Sequence, residues 1–499
     1  MNKEINSKLK TNLPILIGLF FIPISFFPFI SNSFTSTKAG IFSIIGIACF
    51  ITLITKKKLV STTSYLCKNN RIFLILFLSL ILSLISSLFN PHIELSLLGN
   101  FSRNMGLIHH IFGIFIVLYI ATKYKQTPLQ FKIISISNFL LITYGILQSL
   151  NIELFFSNYN FNLFPGRIFS LIGNPSYFGQ FLTILIGLNI YKIYNLKSHK
   201  WKIFELILII GNLYCLILSQ TRTALLGIVF FTIILSLLKF KAHIKKILLA
   251  IASLICIAFF VFPNRFSIND TAIRSLNTRL HIWGKTIELI SKKPILGYGN
   301  QTFTLYSPSI LTPEYLTQEA SIDLIIDKVH NQFLEKIYEN GFLQGLFYLA
   351  LIFYLFKYVF FHKNPNVKIL SLILLTNIFQ NQFGFNDFSL QFYEYFLFGL
   401  LIHTLNQPNK LSNTNSHTLL KSCMLGSLLY FLLLSQLLGM YHHRQFKINA
   451  KTNPTLAIES LNKSALFWPY YSQVYYEMLQ NKLNTKFALQ ELVKIEGET

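Results

Sequence analysis

Six residues placed to grip an anion or take up a proton are scattered along this chain. Arg103, Arg167, Arg222 and Arg279 lie beside apolar stretches or in a polar segment, Lys38 precedes an apolar run, and His330 comes near the end of the longest polar segment. Arginine holds phosphate oxygens through paired, charge-assisted hydrogen bonds and does not lose its proton. A neutral histidine is the usual base for a hydroxyl near neutral pH. The chemistry such a set can do is displacement of an anionic leaving group by an alcohol. Each residue also has a plainer reading. A cation at the end of an apolar helix can snorkel toward headgroups, and His330, followed by Asn331, can simply start a helix.

The elements that must position these residues are membrane spans. The chain has 499 residues, 53% hydrophobic and 12% charged, against about 25% charged in soluble domains. Apolar runs of near-spanning length are expected at 13–30, 39–55, 72–89, 106–122, 131–150, 176–194, 203–219, 223–238, 247–262, 341–360, 368–386, 388–404 and 421–440. The fold class is all-α: a polytopic membrane protein with about 12–13 spans.

The net charge of +24 suggests nucleic acid until the positions are read. Alternate loops hold 24 Lys and Arg on one side, against four (Lys38, Arg103, Arg167 and Arg222) in the short loops of the other. That asymmetry sets the N-terminus inside and the 263–340 loop and C-terminal tail outside. A nucleic-acid protein would cluster its cations on one face. Four cations facing one outer compartment, with few acids beside them, fit an anion-binding mouth.

The 263–340 loop carries eight Lys/Arg and eight Asp/Glu and reads as a small folded element. Within it, Asn277–Ile290 reads as an amphipathic helix, 291–300 as a turn, and His330–Tyr338 as a helix running into the next span. Chain 1–440 is taken as the membrane domain and 441–499 as a helical tail. There Pro454–Leu466 and Pro469–Leu483 look like one helix pair, faintly tetratricopeptide-like. His281 reads as structural, His109-His110 and His442-His443 as interfacial. Glu205 and Glu394 are the main ionisable residues inside the spans. The five cysteines follow neither a disulfide nor a zinc spacing. No Asp-x-Asp, His-Glu-x-x-His or Walker sequence occurs, which argues against a metal-dependent nucleotide-sugar transferase, a zinc protease and an ATP-driven pump.

Four segments recur to attention: Gly166-Arg167 with Leu171-Ile-Gly173-Asn174-Pro175-Ser-Tyr-Phe-Gly179; Leu218-Ser219-Gln220-Thr221-Arg222 through Gly227; Arg279-Leu-His281-Ile-Trp283 with Lys293-Pro294-Ile-Leu-Gly297-Tyr-Gly299; and Val329-His330-Asn331-Gln332 with Glu339-Asn340-Gly341. In that order, over roughly 90–400, the set resembles the O-antigen ligase and O-antigen polymerase superfamily. The loop from Leu98-Gly99 through Arg103 to Gly106 also looks like that family's pattern, whereas the tail does not.

The resemblance implies a membrane glycosyltransferase of the cell envelope that moves a glycan from a polyprenyl-diphosphate carrier to an acceptor hydroxyl outside the cytoplasmic membrane. It implies His330 as general base, with Arg222 and Arg279 on the pyrophosphate. Arg167, Arg103 and Lys38 would be further phosphate or glycan contacts. Asn174 would shape the end of its span, Trp283 would stack on sugar or prenyl chain, and Asn331 would orient His330 or the acceptor. No metal or cofactor is expected. The expected partners are the lipid-linked glycan donor, a glycan, lipid or protein hydroxyl acceptor, and membrane lipids, without nucleic acid. Ligase, polymerase and protein-glycosylating variants stay open, and a flippase for the same lipid is the alternative of another class.

Overall fold

The computed structural model describes residues 2–30, 32–55, 59–100, 103–124, 127–155, 164, 166–238, 270–310, 326–406, 438–449 and 453–467. All regular structure among these residues is helical. In chain order the helices are α1 (Asn2–Ile24), α2 (Ser33–Thr55), α3 (Leu59–Asn69), α4 (Arg71–Leu88), α5 (Ile93–Leu98), α6 (Leu107–Lys123), α7 (Pro128–Ser149), α8 (Pro175–Asn195), α9 (His199–Ser219) and α10 (Arg222–Leu237). Then come α11 (Asp270–Lys292), α12 (Phe303–Tyr306), α13 (Gln332–Asn340), α14 (Phe342–Phe361), α15 (Pro365–Gln380), α16 (Phe388–Leu405), α17 (438–449) and α18 (Pro454–Phe467). The spans expected at 247–262 and, up to residue 437, at 421–440 fall outside the described residues; the others fall on helices.

Ser33–Ile54 of α2, and α4, α7, α9 and α14, are long and apolar enough to cross a bilayer, and Asn12–Ile24 of α1, α6 and α10 are shorter apolar stretches. The chain is a multi-pass membrane protein. Burial sorts its helices into layers. Helix α8 is buried on every side from Tyr177 to Ile193 and packs against α9, α10, α15 and α16. Helix α15 is nearly as enclosed. The more apolar α4, α9 and α14 keep large side chains exposed, such as Leu84, Ile210 and Phe353, as lipid-facing helices must.

A second, smaller core lies outside this bundle. It joins Ile282, Leu289 and Ile290 of α11 to Tyr298, Phe303, Val329, Ile337 and Tyr338. The Pro294–Gly299 turn clamps it to the bundle. Tyr298 N donates to Tyr338 O at 2.8 Å and Gly299 N to Glu339 O at 2.8 Å. From α4, Ser86 Oγ reaches both Leu296 O at 2.6 Å and Glu339 O at 2.7 Å.

The structure departs from the sequence reading in several places. The helix after His330 does not run into the next span: it ends at Gly341, whose φ of 82° breaks the path before α14. There Phe342 N turns to Pro294 O at 2.9 Å, a bond that a continuous helix would forbid. Helix α2 begins at Ser33, so Lys38 is a helical residue and not a loop cation. Lys192, counted as a loop cation, is buried and pairs with Glu205 at 2.7 Å, with Ser135 bonded to both. Glu394 accepts from Asn377 at 3.1 Å and Asn386 at 2.8 Å. His109 and His110 are not interfacial either. They turn inward, to Gln391 and to the Tyr395 hydroxyl. In the tail, Ala457, Leu461 and Ala465 of α18 form a buried face, and Ser464 Oγ donates to Gly439 O of α17 at 2.8 Å. The second helix expected at Pro469–Leu483 lies outside the described residues.

The break at Gly341 makes a prediction. A Cβ there would fall 1.9 Å from the Ile295 carbonyl oxygen, whereas one on Gly284 of α11 would meet nothing within 4 Å. Gly341→Ala should therefore destabilise by about 2 kcal/mol or more. Gly284→Ala should stabilise by up to about 1 kcal/mol. Thermal unfolding of the detergent-solubilised protein separates them: Tm falls for the first and holds or rises for the second.

Candidate active site

Two of the four sequence segments meet at the α9–α10 corner. Gln220 turns the chain with a left-handed φ of 51°, and α10 begins at Arg222. Arg167 holds this corner: its Nε donates to Ser219 O at 2.9 Å and its Nη2 to Thr221 Oγ1 at 3.3 Å. Gln220 Nε2 returns a bond to Gly166 O at 3.0 Å. Thr221 Oγ1 donates to Pro175 O at 2.9 Å, which ties the corner to the start of α8. There Asn174 caps the helix, its side chain accepting from Ser176 N at 2.8 Å. Gly179 permits the approach, because a Cβ at that position would sit 2.8 Å from Thr221 Cβ. Arg222 is thus placed on the first turn of a helix, with its backbone fixed on both flanks.

The other two segments meet at His330. Trp283 of α11 donates from Nε1 to Val329 O at 3.1 Å, and Asn331 caps α13 by accepting from Leu334 N at 3.0 Å. Gln332 N donates to Asn381 O at 2.9 Å. Between these fixed points His330 takes a left-handed φ of 58°, a region that histidine enters more readily than most residues. Arg103 grips the same loop bidentately, Nε to Asp327 Oδ2 at 2.7 Å and Nη2 to Oδ1 at 3.1 Å. It also bonds the Tyr177 hydroxyl of α8. Phe385 touches both groups: the Arg103 guanidinium lies 4.3 Å from its ring centroid and the His330 ring 4.9 Å.

The electrostatics of this group are one-sided. Burial, and after it the Arg279 guanidinium, push the His330 imidazole down to about 4; Asp327 pulls the other way, and Arg103 and Lys328 push further down. His330 is therefore neutral at physiological pH. Burial also lowers Arg279, and the nearby Arg222 adds to it. His330 Nδ1 is shut away from solvent with no hydrogen-bond partner among the described residues. Close by, a polar cavity of about 30 Å³ is lined by Lys328, Gln332, Glu335, Lys336, Glu339 and Phe385, among others, enough room for about one water.

His330 thus feels Arg279 and Arg103, and Arg279 feels Arg222, while Arg167 bonds Thr221, the residue before Arg222. Trp283 and Asn331 support the backbone on either side of His330, and Asn174 supports α8. Lys38 is the residue not brought there. Its ammonium, 1% exposed, donates to Leu171 O at 3.2 Å and Ile172 O at 3.1 Å and lies 3.9 Å from Asp387. The sequence reading missed Asp327, Tyr177 and Phe385. Tyr177 sits inside a quoted segment and Asp327 is three residues before His330, so both carried a signal. Phe385 is one of 50 phenylalanines and carried none.

The position of Lys38 is testable. Lys38→Ala leaves Asp387 and two carbonyls buried without their cation, which should cost about 3 kcal/mol of stability. The measurable result is less folded protein and a lower Tm, with the substrate KM of the surviving folded fraction unchanged. A raised KM at unchanged stability would instead make Lys38 a substrate contact.

No curated protein matches the chain. A family model does match at residues 206–350, from α9 into α14, and so takes in Arg222, Arg279, Trp283, His330 and Asn331 but not Lys38, Arg103, Arg167 or Asn174. That model is described as O-antigen ligase, and over this stretch the chain is similar to that family.

Proposed function

We propose that the chain is a metal-independent glycosyltransferase that moves a glycan from a polyprenyl-diphosphate carrier to an acceptor hydroxyl at the outer face of the cytoplasmic membrane. The observation that carries this reading is the neutral His330 beside Arg279 and Arg103, with Arg222 next to Arg279. An array of cations around a neutral base suits a reaction whose leaving group gathers negative charge while its nucleophile loses a proton.

In this mechanism the acceptor oxygen attacks the anomeric carbon, and the bond from that carbon to the diphosphate oxygen breaks. Its electrons leave with the diphosphate, held by Arg222 and Arg279. The hydroxyl proton passes to His330. With Nδ1 enclosed, Nε2 is the nitrogen left to face the acceptor. Arg167 sets the backbone of Arg222, and Arg103 with Asp327 sets the loop of His330. The bound diphosphate also changes the base. Its negative charge offsets the arginines that depress His330, so the imidazole gains proton affinity when the donor arrives. The acceptor is a glycan, lipid or protein hydroxyl, and polymerase and protein-glycosylating activities are variants of the same step.

Transfer assays on purified protein test this. His330→Ala should lose about 10²–10⁴-fold in kcat. Arg222→Lys should also fail, because an ammonium cannot make the bidentate contact. If both variants are folded and keep full transfer, the proposal is wrong. A chelator should leave the rate unchanged; inhibition would overturn the metal-free step. The pH profile adds a sign. A depressed imidazole stays a competent base until the pH falls through its own pKa. The acid limb of kcat/KM, which reports the free enzyme, should therefore lie near pH 4. The limb of kcat, which reports the donor complex, should lie above it. Limbs that coincide near 6.5 would contradict the arrangement.

A further inference from the structure

Helix α11 has three sides where an ordinary surface helix has two. Ile282, Thr286, Leu289 and Ile290 are buried in the smaller core. Asn277, Gly284 and Glu288 are exposed, and Lys285 pairs with Glu288 at 3.0 Å. The third side is apolar and also exposed: Leu276 is 54%, Leu280 52% and Ile287 55% accessible. At about 100° per residue these three lie within an arc of roughly 40°. The apolar exposure continues past the helix into the turn, where Ile295 is 80% accessible.

Ile295 ties this side to a surface that faces lipid. Its neighbour Pro294 accepts from Phe342 N at 2.9 Å, so the turn abuts the first residue of α14. From that point the exposed residues of α14, Phe342, Leu346, Leu349 and Phe353, repeat at helical spacing along a helix long and apolar enough to cross the bilayer. The turn that follows α11 therefore abuts, through Pro294 and the exposed Ile295, the site end of the exposed apolar side of α14.

We propose that α11 is an interfacial helix whose Leu276–Leu280–Ile287 arc, with Ile295, is embedded in the lipid leaflet at the site end of α14. An amphipathic helix lying in the headgroup boundary buries such an arc and keeps its polar side wet. The occupant is the acyl region of the bilayer, and the polar flank with Lys285, Glu288 and Lys292 remains in water. Arg279, about 60° from Leu276 on the helix surface, falls within the buried side, between Thr286 and Ile290. The depth of the helix therefore sets the height of Arg279, which acts on both Arg222 and His330, and holds it at headgroup level. This placement does not depend on which reaction His330 performs.

Site-specific photocrosslinking in native membranes tests it on the full chain. A benzophenone amino acid is placed at Ile287, with Phe353 of α14 as the lipid-facing control and Glu288 as the water-facing control. The expected result is a mass shift of one phospholipid on the Ile287 peptide, comparable in yield to Phe353, and no such shift at Glu288. A crosslinked species of twice the chain mass would overturn the proposal in favour of a second copy on this face. So would an adduct to another segment of the chain itself. Lipid adducts at Phe353 with none at Ile287 would place the arc in water and overturn it equally. None of these readouts uses transfer activity, so the result stands apart from the proposed mechanism.

Discussion

Guanidinium groups repel one another, and this fold holds several of them close together in partly enclosed surroundings. Arg279 feels Arg222, and His330 feels both Arg279 and Arg103. Two unit charges a few ångströms apart still oppose each other by a few kcal/mol at a protein surface. Something other than electrostatics must supply the force that keeps them there. The structure supplies it through backbone bonds that leave little room to relax. The α9–α10 corner is tied to Gly166, Pro175 and the Arg167 side chain, and the His330 loop to Trp283, Arg103 and Asn381. The acid that acts on His330 is Asp327, and Arg103 engages both its oxygens.

The same logic explains why so many positive-φ residues gather at this end. Gln220 and His330 themselves, and Gly297, Gly299 and Gly341 beside them, leave the ordinary backbone regions. Each sits where one segment must turn sharply to meet another. Glycine enters the positive-φ region freely, but at Gln220 and His330 the strain persists only where the surroundings over-determine it. Here they do, because the smaller core and the bundle share hydrogen bonds across the Pro294–Gly299 turn.

Much of this was legible in the sequence. Apolar runs and loop charges located the helices, and the arginines stood out because they opposed the charge pattern. The type of α11 was readable from its periodicity. What the sequence reading could not supply was depth. Lys38 and a phosphate-binding lysine look alike in one dimension, since the difference lies in whether α2 begins before or after the residue. Lys192 likewise passed for a loop cation, although Glu205, which neutralises it, lies in the next helix. Phe385 escaped for the opposite reason: its contacts with Arg103 and His330 come from a turn more than 50 residues beyond the histidine.

Helix α8 carries a consequence for how the molecule is made. It is enclosed by protein along nearly its whole length, and it contains Gln180, Asn189 and Lys192 where a lipid-facing helix would carry aliphatic side chains. Such a segment gains little by entering lipid alone and loses hydration at each polar group. It is stable in the membrane only once α9 brings Glu205 to Lys192 and the later helices α15 and α16 close around it. The enclosure of the innermost helix is therefore completed only by helices that lie well over a hundred residues later in the chain.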